Sequence, residues 1–352
     1  MHRVVIAAVA GLAIAGSASG QVTVRVWGRN LEGQCNVPSD LGIVTAIAAG
    51  ADHTVAIRAN GSVRAWGDNS ADQCEVPASL GAVTKIASTY YHTIAVRADG
   101  SVQAWGLNHA GQCTIPAGIG AAVSVAAGYD HSVVLRPDGT LRAWGDNVYE
   151  QSTIPTNLGT VTSVVAGGSH NVAIRTDGTV RAWGLNNYGQ CNVPVGTASC
   201  IAVSAGAAHS IALGSNGTLR AWGANHEGQV TVPGGLGPLT AIAAGFYHNV
   251  ARTSDGSVRA WGANNYEQCM VPSNLGAVTA VAAGNNHTVA IIANPCLGDL
   301  DFDRQVGGAD LGIVLGQWGT GGGVTGADID GNGIVGGADL GLLVGAFGGC
   351  PG

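Results

Sequence analysis

The sequence predicts an all-β protein: a seven-bladed propeller closed by its own N- and C-terminal strands, followed by a small helical C-terminal unit. Three observations lead there. A tryptophan recurs at Trp27, Trp66, Trp105, Trp144, Trp183, Trp222 and Trp261, each 39 residues from the last and each followed by glycine. A histidine keeps the same period at His53, His92, His131, His170, His209, His248 and His287. Glycine supplies 57 of 352 residues, 46% are apolar and only 11% are charged. That glycine share is about twice the ordinary ~7% and favours short strands and tight turns. The apolar content excludes a solvated, disordered chain.

Taken in order, residues 1–20 read as a secretory signal peptide. His2 and Arg3 precede an apolar run over 4–15 and a small-residue site, Ala18-Ser19-Gly20. A secreted or cell-surface location follows, where disulfides are permitted among the eight cysteines. No later apolar run approaches the length of a membrane span.

The propeller is expected over 21–293. In a typical unit, residues 44–81, strands A to D fall at 44–49, 53–58, 62–66 and 73–76, the last ending at Pro77. The turn Asn60-Gly61 between B and C recurs as Asp99-Gly100, Asp138-Gly139, Asp177-Gly178, Asn216-Gly217 and Asp255-Gly256. Such pairs suit a hairpin turn that needs φ > 0. Four short strands per repeat of about 40 residues is the pattern of a propeller blade. The N-terminus opens with C and D (22–27 and 34–37), and the last repeat supplies only A and B. Joining the two halves completes a seventh blade and leaves no open edge.

The motif A-G-x-x-H-[ST]-[VI]-A-[IV] followed by D-G-[ST]-[VL]-R-A-W-G-x-N-x-x-G-Q resembles the regulator-of-chromosome-condensation repeat. The short period and the x-V-P after the glutamine are closer still to the bacterial type II β-lactamase-inhibitory proteins. The resemblance spans 21–293. Ser88-Thr89 stand where Ala-Gly is usual, and Ser152 and Val230 where cysteine is. It implies a seven-bladed propeller and, from the inhibitor family, aromatic loops on one face that grip an enzyme.

Alternating strand direction places the A–B and C–D loops on one face. All seven tyrosines fall there (Tyr90, Tyr91, Tyr129, Tyr149, Tyr188, Tyr247 and Tyr266), joined by Phe246. So do seven acids, Glu32, Asp52, Asp72, Asp130, Glu150, Glu227 and Glu267, against Arg29 alone. Arg58, Arg64, Arg97, Arg136, Arg142, Arg175 and Arg181 lie toward the other face. Tyrosine offers large amphipathic contact at low entropic cost, so this face is expected to bind a protein partner. One Trp and one His per blade read instead as packing, since equivalent points around a ring cannot converge on one metal. Cys35, Cys74, Cys113, Cys191 and Cys269 share the strand-D position and read as free thiols, with Cys191–Cys200 a weaker disulfide alternative. Cys296 and Cys350 are expected to be linked.

Residues 294–298 form a short linker to a duplicated unit at 299–352. The segments GDLDFDRQVGGADLGIVLGQWG and ADIDGNGIVGGADLGLLVGAFG place oxygen ligands at loop positions 1, 3, 5 and 12. The first loop offers Asp299, Asp301, Asp303 and Asp310 with the carbonyl of Gln305. The second offers Asp328, Asp330, Asn332 and Asp339 with the carbonyl of Ile334. Alternating hard oxygens in a tight loop suit calcium, giving two sites. Gly333 supplies the sharp turn in the second; Arg304 stands there in the first, which predicts a weaker site. Short helices are expected over 311–318 and 340–347. The pair resembles a type I dockerin, which implies docking to a cohesin-like module. Gly349-Cys350 is equally similar to bacterial surface-anchoring tails, and both readings stay open.

Residues 296–352 carry seven acids against Arg304 alone, while 21–295 balance thirteen basic against fifteen acidic side chains. With no basic stripe, nucleic acid is not an expected partner. No nucleophile–base pair or phosphate loop stands out. The expectation is a secreted, non-catalytic binding protein. Alternatives are a glycan-binding or structural surface protein and, last, a polysaccharide-acting enzyme using carboxylates such as Asp130 and Glu150.

Overall fold

The structure, a computed structural model, describes residues 22–273, 275–293, 298, 300, 305–320, 327, 329 and 334–349. The signal peptide, Cys296, Cys350, Asp299, Asp301, Asp303, Asp328, Asp330 and Asn332 lie outside the described residues.

Seven three-stranded antiparallel sheets make up most of the protein. In the first, Val44–Ala49 (strand A) pairs with His53–Arg58 (strand B), and that with Val63–Gly67 (strand C). The pattern repeats through Leu239–Ala244, His248–Thr253 and Val258–Gly262 in the sixth. The seventh combines the first and last strands of the propeller: Val278–Ala283 pairs with His287–Ala293, and His287–Ala293 with Val22–Gly28. That last pairing runs without a shift from Val22 opposite Ala293 to Gly28 opposite His287. Strand A is small, apolar and buried along nearly its whole length, so seven of them fit side by side at the centre. Val278–Ala283 meets Val44–Ala49 and closes the ring.

The expected fourth strand does not form. Residues 34–37 and their equivalents form a turn followed by irregular backbone. A side-chain amide takes the backbone donor that a ladder would need: Cys35 N–H donates to Asn30 Oδ1 at 2.8 Å, Cys74 N–H to Asn69 Oδ1 at 2.9 Å and Cys269 N–H to Asn264 Oδ1 at 2.8 Å. This is local competition of asparagine with sheet pairing. Strand C is therefore the outer edge of every blade. Arg25, Arg64, Arg142, Arg181, Arg220 and Arg259 stand exposed along it, a charge placement that discourages edge-to-edge pairing.

The repeated histidine joins neighbouring blades. Each imidazole is fully buried, and its Nε2 meets a polar group on strand B of the next blade. His92 pairs with Ser132 at 3.0 Å, His131 with Asn171 at 3.0 Å, His170 with Ser210 at 3.0 Å, and His209 with Asn249 at 2.9 Å. His248 pairs with Thr288 at 3.1 Å, and His287 with Thr54 at 3.2 Å across the closure. These groups then donate to a glutamine main-chain carbonyl, as Ser132 does to Gln112 O at 2.9 Å and Asn249 to Gln229 O at 2.7 Å. The same carbonyls accept the tryptophan indole, Trp144 Nε1 at 2.9 Å and Trp261 Nε1 at 3.1 Å. The packing role expected for Trp and His is thus met in detail.

The thiols are also structural. Cys35, Cys74, Cys113, Cys191, Cys200 and Cys269 are free, so Cys191 and Cys200 do not pair. Cys74 Sγ donates to Asp68 O at 3.2 Å, and Ser152 Oγ makes the equivalent bond to Asp146 O at 2.7 Å. Burial pushes the Cys74, Cys113 and Cys191 thiols up to about 12.

The C-terminal unit has a small core of its own, built from Leu300, Val306, Val314, Ala327, Val335 and Leu343. Two nine-residue helices, α1 (Gly308–Gly316) and α2 (Gly337–Gly345), pack together. Both begin three residues earlier than expected, because Asp310 and Asp339 cap them by accepting the N–H of Gly307 and Gly336, each at 2.7 Å. Among the described residues no helix is long and apolar enough to cross a membrane.

Burial holds the seven repeat histidines neutral, pushing His53, His131 and His209 down to about 4 and His92, His170, His248 and His287 to about 3. In the unfolded chain they protonate near the ordinary value of about 6.5. Below that pH the unfolded state binds protons the folded state refuses, so stability falls as pH drops toward the folded values. Melting temperature should therefore decline between about pH 6.5 and 4, with an uptake of up to about seven protons on unfolding near pH 5. Calorimetry in buffers of differing ionisation enthalpy counts those protons.

Candidate binding face

Adjacent A–B and C–D loops are tied side by side. Asp68 N–H donates to Asp52 O at 2.8 Å, Leu107 N–H to Tyr91 O at 2.8 Å, and Ala263 N–H to Tyr247 O at 2.9 Å. Both loop sets therefore share one face, as strand parity predicts.

On it, five aromatics form a continuous string across the propeller axis. Tyr91 lies 4.3 Å from Tyr90, and Tyr90 4.9 Å from Tyr129. Tyr129 stacks on Phe246 at 5.5 Å, and Phe246 meets Tyr247 edge-on at 4.3 Å. The string thus spans the second, third and sixth blades. Such pairs contribute about 0.5–1.5 kcal/mol each beyond area burial, enough to hold the rings as a unit. Tyr149, Tyr188 and Tyr266 are not part of it. They sit exposed on C–D loops, Tyr188 edge-on to His226 at 5.3 Å and Tyr266 under the Arg29 guanidinium at 6.0 Å.

Local backbone makes room for the string. At Gly168 a Cβ would lie 3.1 Å from Tyr129 Cε2 and 2.5 Å from Ala207 O, so only glycine leaves space for the ring. In the second blade, where Ser88-Thr89 replace Ala-Gly, Tyr90 takes a left-handed φ of 48°. There Ser88 Oγ contacts His53 Nε2 at 2.6 Å. Beneath the rings lies a cavity of about 40 Å³ at the ends of the A strands, lined from all seven blades. The Tyr129 hydroxyl is buried without a hydrogen-bond partner. Burial raises the Tyr91 and Tyr129 hydroxyls above the usual phenol range, so both stay protonated.

The face is acidic. Asp68 and Asp146 add to the seven acids already named. Arg29 is engaged by Asp52 in a close ion pair and by Glu32 at 3.6 Å. Asp130 accepts from Gln112 Nε2 at 3.1 Å and faces His109 at 3.5 Å. Burial pushes its carboxyl above the usual range. Away from this face, Arg58, Arg97 and Arg136 hydrogen-bond main-chain carbonyls of the interblade links: Asp40 O at 2.8 Å, and Ser79 O and Gly118 O at 3.0 Å.

In the C-terminal unit, four residues of the expected calcium loops are described: Gln305, Asp310, Ile334 and Asp339. Asp310 and Asp339 are buried. Their second carboxylate oxygens accept from Leu300 N–H at 2.5 Å and Ile329 N–H at 2.6 Å, tying the last loop position to the second in both units.

The family model for the regulator of chromosome condensation (RCC1) repeat matches residues 44–73, 83–112, 122–151, 161–190, 200–229 and 239–268, together half of the chain. The chain belongs to the RCC1-repeat family. No curated protein matches it in sequence. Among solved structures, Prp20p of Saccharomyces cerevisiae aligns at 18% identity with a TM-score of 0.69, over 83% of this chain and 95% of Prp20p. Human WBSCR16 aligns at 18% identity and 0.62, over 77% of this chain and 98% of the other. The CRINKLY ectodomain of the Arabidopsis thaliana receptor kinase ACR4 aligns at 20% and 0.58, over 69% and 90%. At these identities the likeness concerns the fold.

Within the RCC1 repeat, sequence reasoning found the aromatics but not their grouping. The Gly167-Gly168 pair and the Ser88-Thr89 departure were the available signals, since each breaks the repeat next to the string.

Proposed function

We propose that this RCC1-repeat protein is an exported, non-catalytic binding protein whose aromatic, acidic face captures a protein partner. The observation that carries this reading is the five-ring string across the axis. Half-exposed aromatics gathered on a soluble protein mark contact surfaces. Prp20p, which shares the fold, is described with binding properties toward Gsp1p and histones, a precedent for protein recognition by this scaffold. The tail would hold two calcium ions through Asp299, Asp301, Asp303, Gln305 and Asp310, and through Asp328, Asp330, Asn332, Ile334 and Asp339. This donor set is all oxygen, which suits a hard cation. Calcium would order the loops, and the unit would then dock to a cohesin-like module or anchor the protein at a cell surface.

A second reading is glycan binding. It is favoured by Tyr149, Tyr188 and Tyr266, which stand apart and exposed as separate platforms.

Two experiments test these readings. A pull-down with the whole chain should recover a protein that is lost when Tyr90, Tyr91, Tyr129 and Tyr247 are all changed to Ala. Equal recovery by both baits contradicts the face assignment. Calcium should raise the melting temperature of the C-terminal unit, and Asp328→Asn with Asp330→Asn should abolish the rise. A melt indifferent to calcium contradicts the loop assignment.

A further inference from the structure

The axial cavity has chemistry that narrows the partner. It is about 40 Å³, far below the roughly 300–1,000 Å³ of small-molecule sites, so no sugar ring or cofactor fits. Tyr90, Tyr129 and Phe246 line it together with Ser88, Thr89 and Asn285. The Tyr129 ring helps to line it, while the Tyr129 hydroxyl is buried without a hydrogen-bond partner. The surrounding loops are strongly acidic, and their one arginine, Arg29, is already paired with Asp52 and Glu32.

Resting on the protein-binding reading above, we infer that this cavity takes the cationic end of a lysine or arginine side chain projected by the partner. An ammonium or guanidinium group at the mouth meets aromatic faces that attract cations. The long-range field of the acidic loops steers it there. An anionic side chain is repelled by the same field, and an apolar one gains no cation–π attraction. The partner surface is accordingly basic, with one such side chain as its anchor.

The probes are N-acetylated, C-amidated pentapeptides Ala-X-Ala-X-Ala with X as Lys, Arg, norleucine or Glu, titrated by calorimetry into the full-length protein at low salt. Lysine or arginine peptide should bind at least about tenfold tighter than the norleucine peptide, and the glutamate peptide should not bind. Tyr129→Leu, which removes the aromatic face, should weaken the cationic peptide about fivefold. Phe246→Ala should abolish binding while circular dichroism stays unchanged and melting, lowered by the loss of two ring pairs, stays cooperative. Equal binding of the norleucine and lysine peptides, both lost in Phe246→Ala, overturns the cationic anchor and leaves the face as a protein-binding surface. No binding of any peptide also overturns the anchor, and the pull-down then judges the wider reading separately. Unchanged affinity in Tyr129→Leu overturns the placement in the cavity.

Discussion

The hydrogen bond from each buried imidazole to the next blade is what the rest of the structure depends on. Seven sheets standing side by side share packing of Val, Ile and Ala and main-chain bonds such as Val83 N–H to Gly61 O at 2.8 Å and Val161 N–H to Gly139 O at 3.0 Å. The His Nε2 contact adds direction and a partner. The residue after each histidine must accept from one side and donate to the other, and the chain uses Thr, Ser or Asn there. Asn171 shows the polarity: its Nδ2 donates to Gln151 O at 2.8 Å, so its Oδ1 must accept from His131 Nε2–H. The imidazole is therefore neutral with its proton on Nε2, and its buried Nδ1 has no partner. Repeated around the ring, this requirement explains why His, Trp and Gln recur together and why none is available to chemistry.

Closure follows from the same relay. His287 reaches Thr54 at 3.2 Å, and Trp27 donates to Gln268 O at 3.1 Å. The first and last strands of the propeller are thus bound by the bonds that join any two blades. A ring held this way can vary its loops without altering its frame. The second blade illustrates the freedom. Ser88 enters the relay beside Thr93, Thr89 replaces a glycine, and the turn is remade with Tyr90 in a left-handed conformation. The aromatic string begins at that departure.

Much of this was legible in the sequence. The 39-residue period carried the blades, the closure and the face on which the tyrosines lie, because strand parity needs no side-chain detail. The fourth strand was not legible. Cys74 and its equivalents sit in a pattern that resembles a strand, but the amide of Asn69 satisfies their backbone donors locally. The grouping of Tyr129 with Phe246 was equally hidden. It depends on how far two loops lean over the axis, and that is governed by Gly168 and by the small residues beneath. In the tail, the duplicated pattern anticipated the helices. Their starts moved because Asp310 and Asp339 act as caps, a use of the carboxylates that loop spacing alone does not reveal.

The most direct test of the relay is nitrogen-15 NMR of the histidine side chains in the whole protein between pH 7 and 5. The account predicts that the seven repeat imidazoles remain neutral throughout, each with its proton on Nε2 and an unprotonated Nδ1. Protonation of the set within that range, or protons on Nδ1, would contradict it.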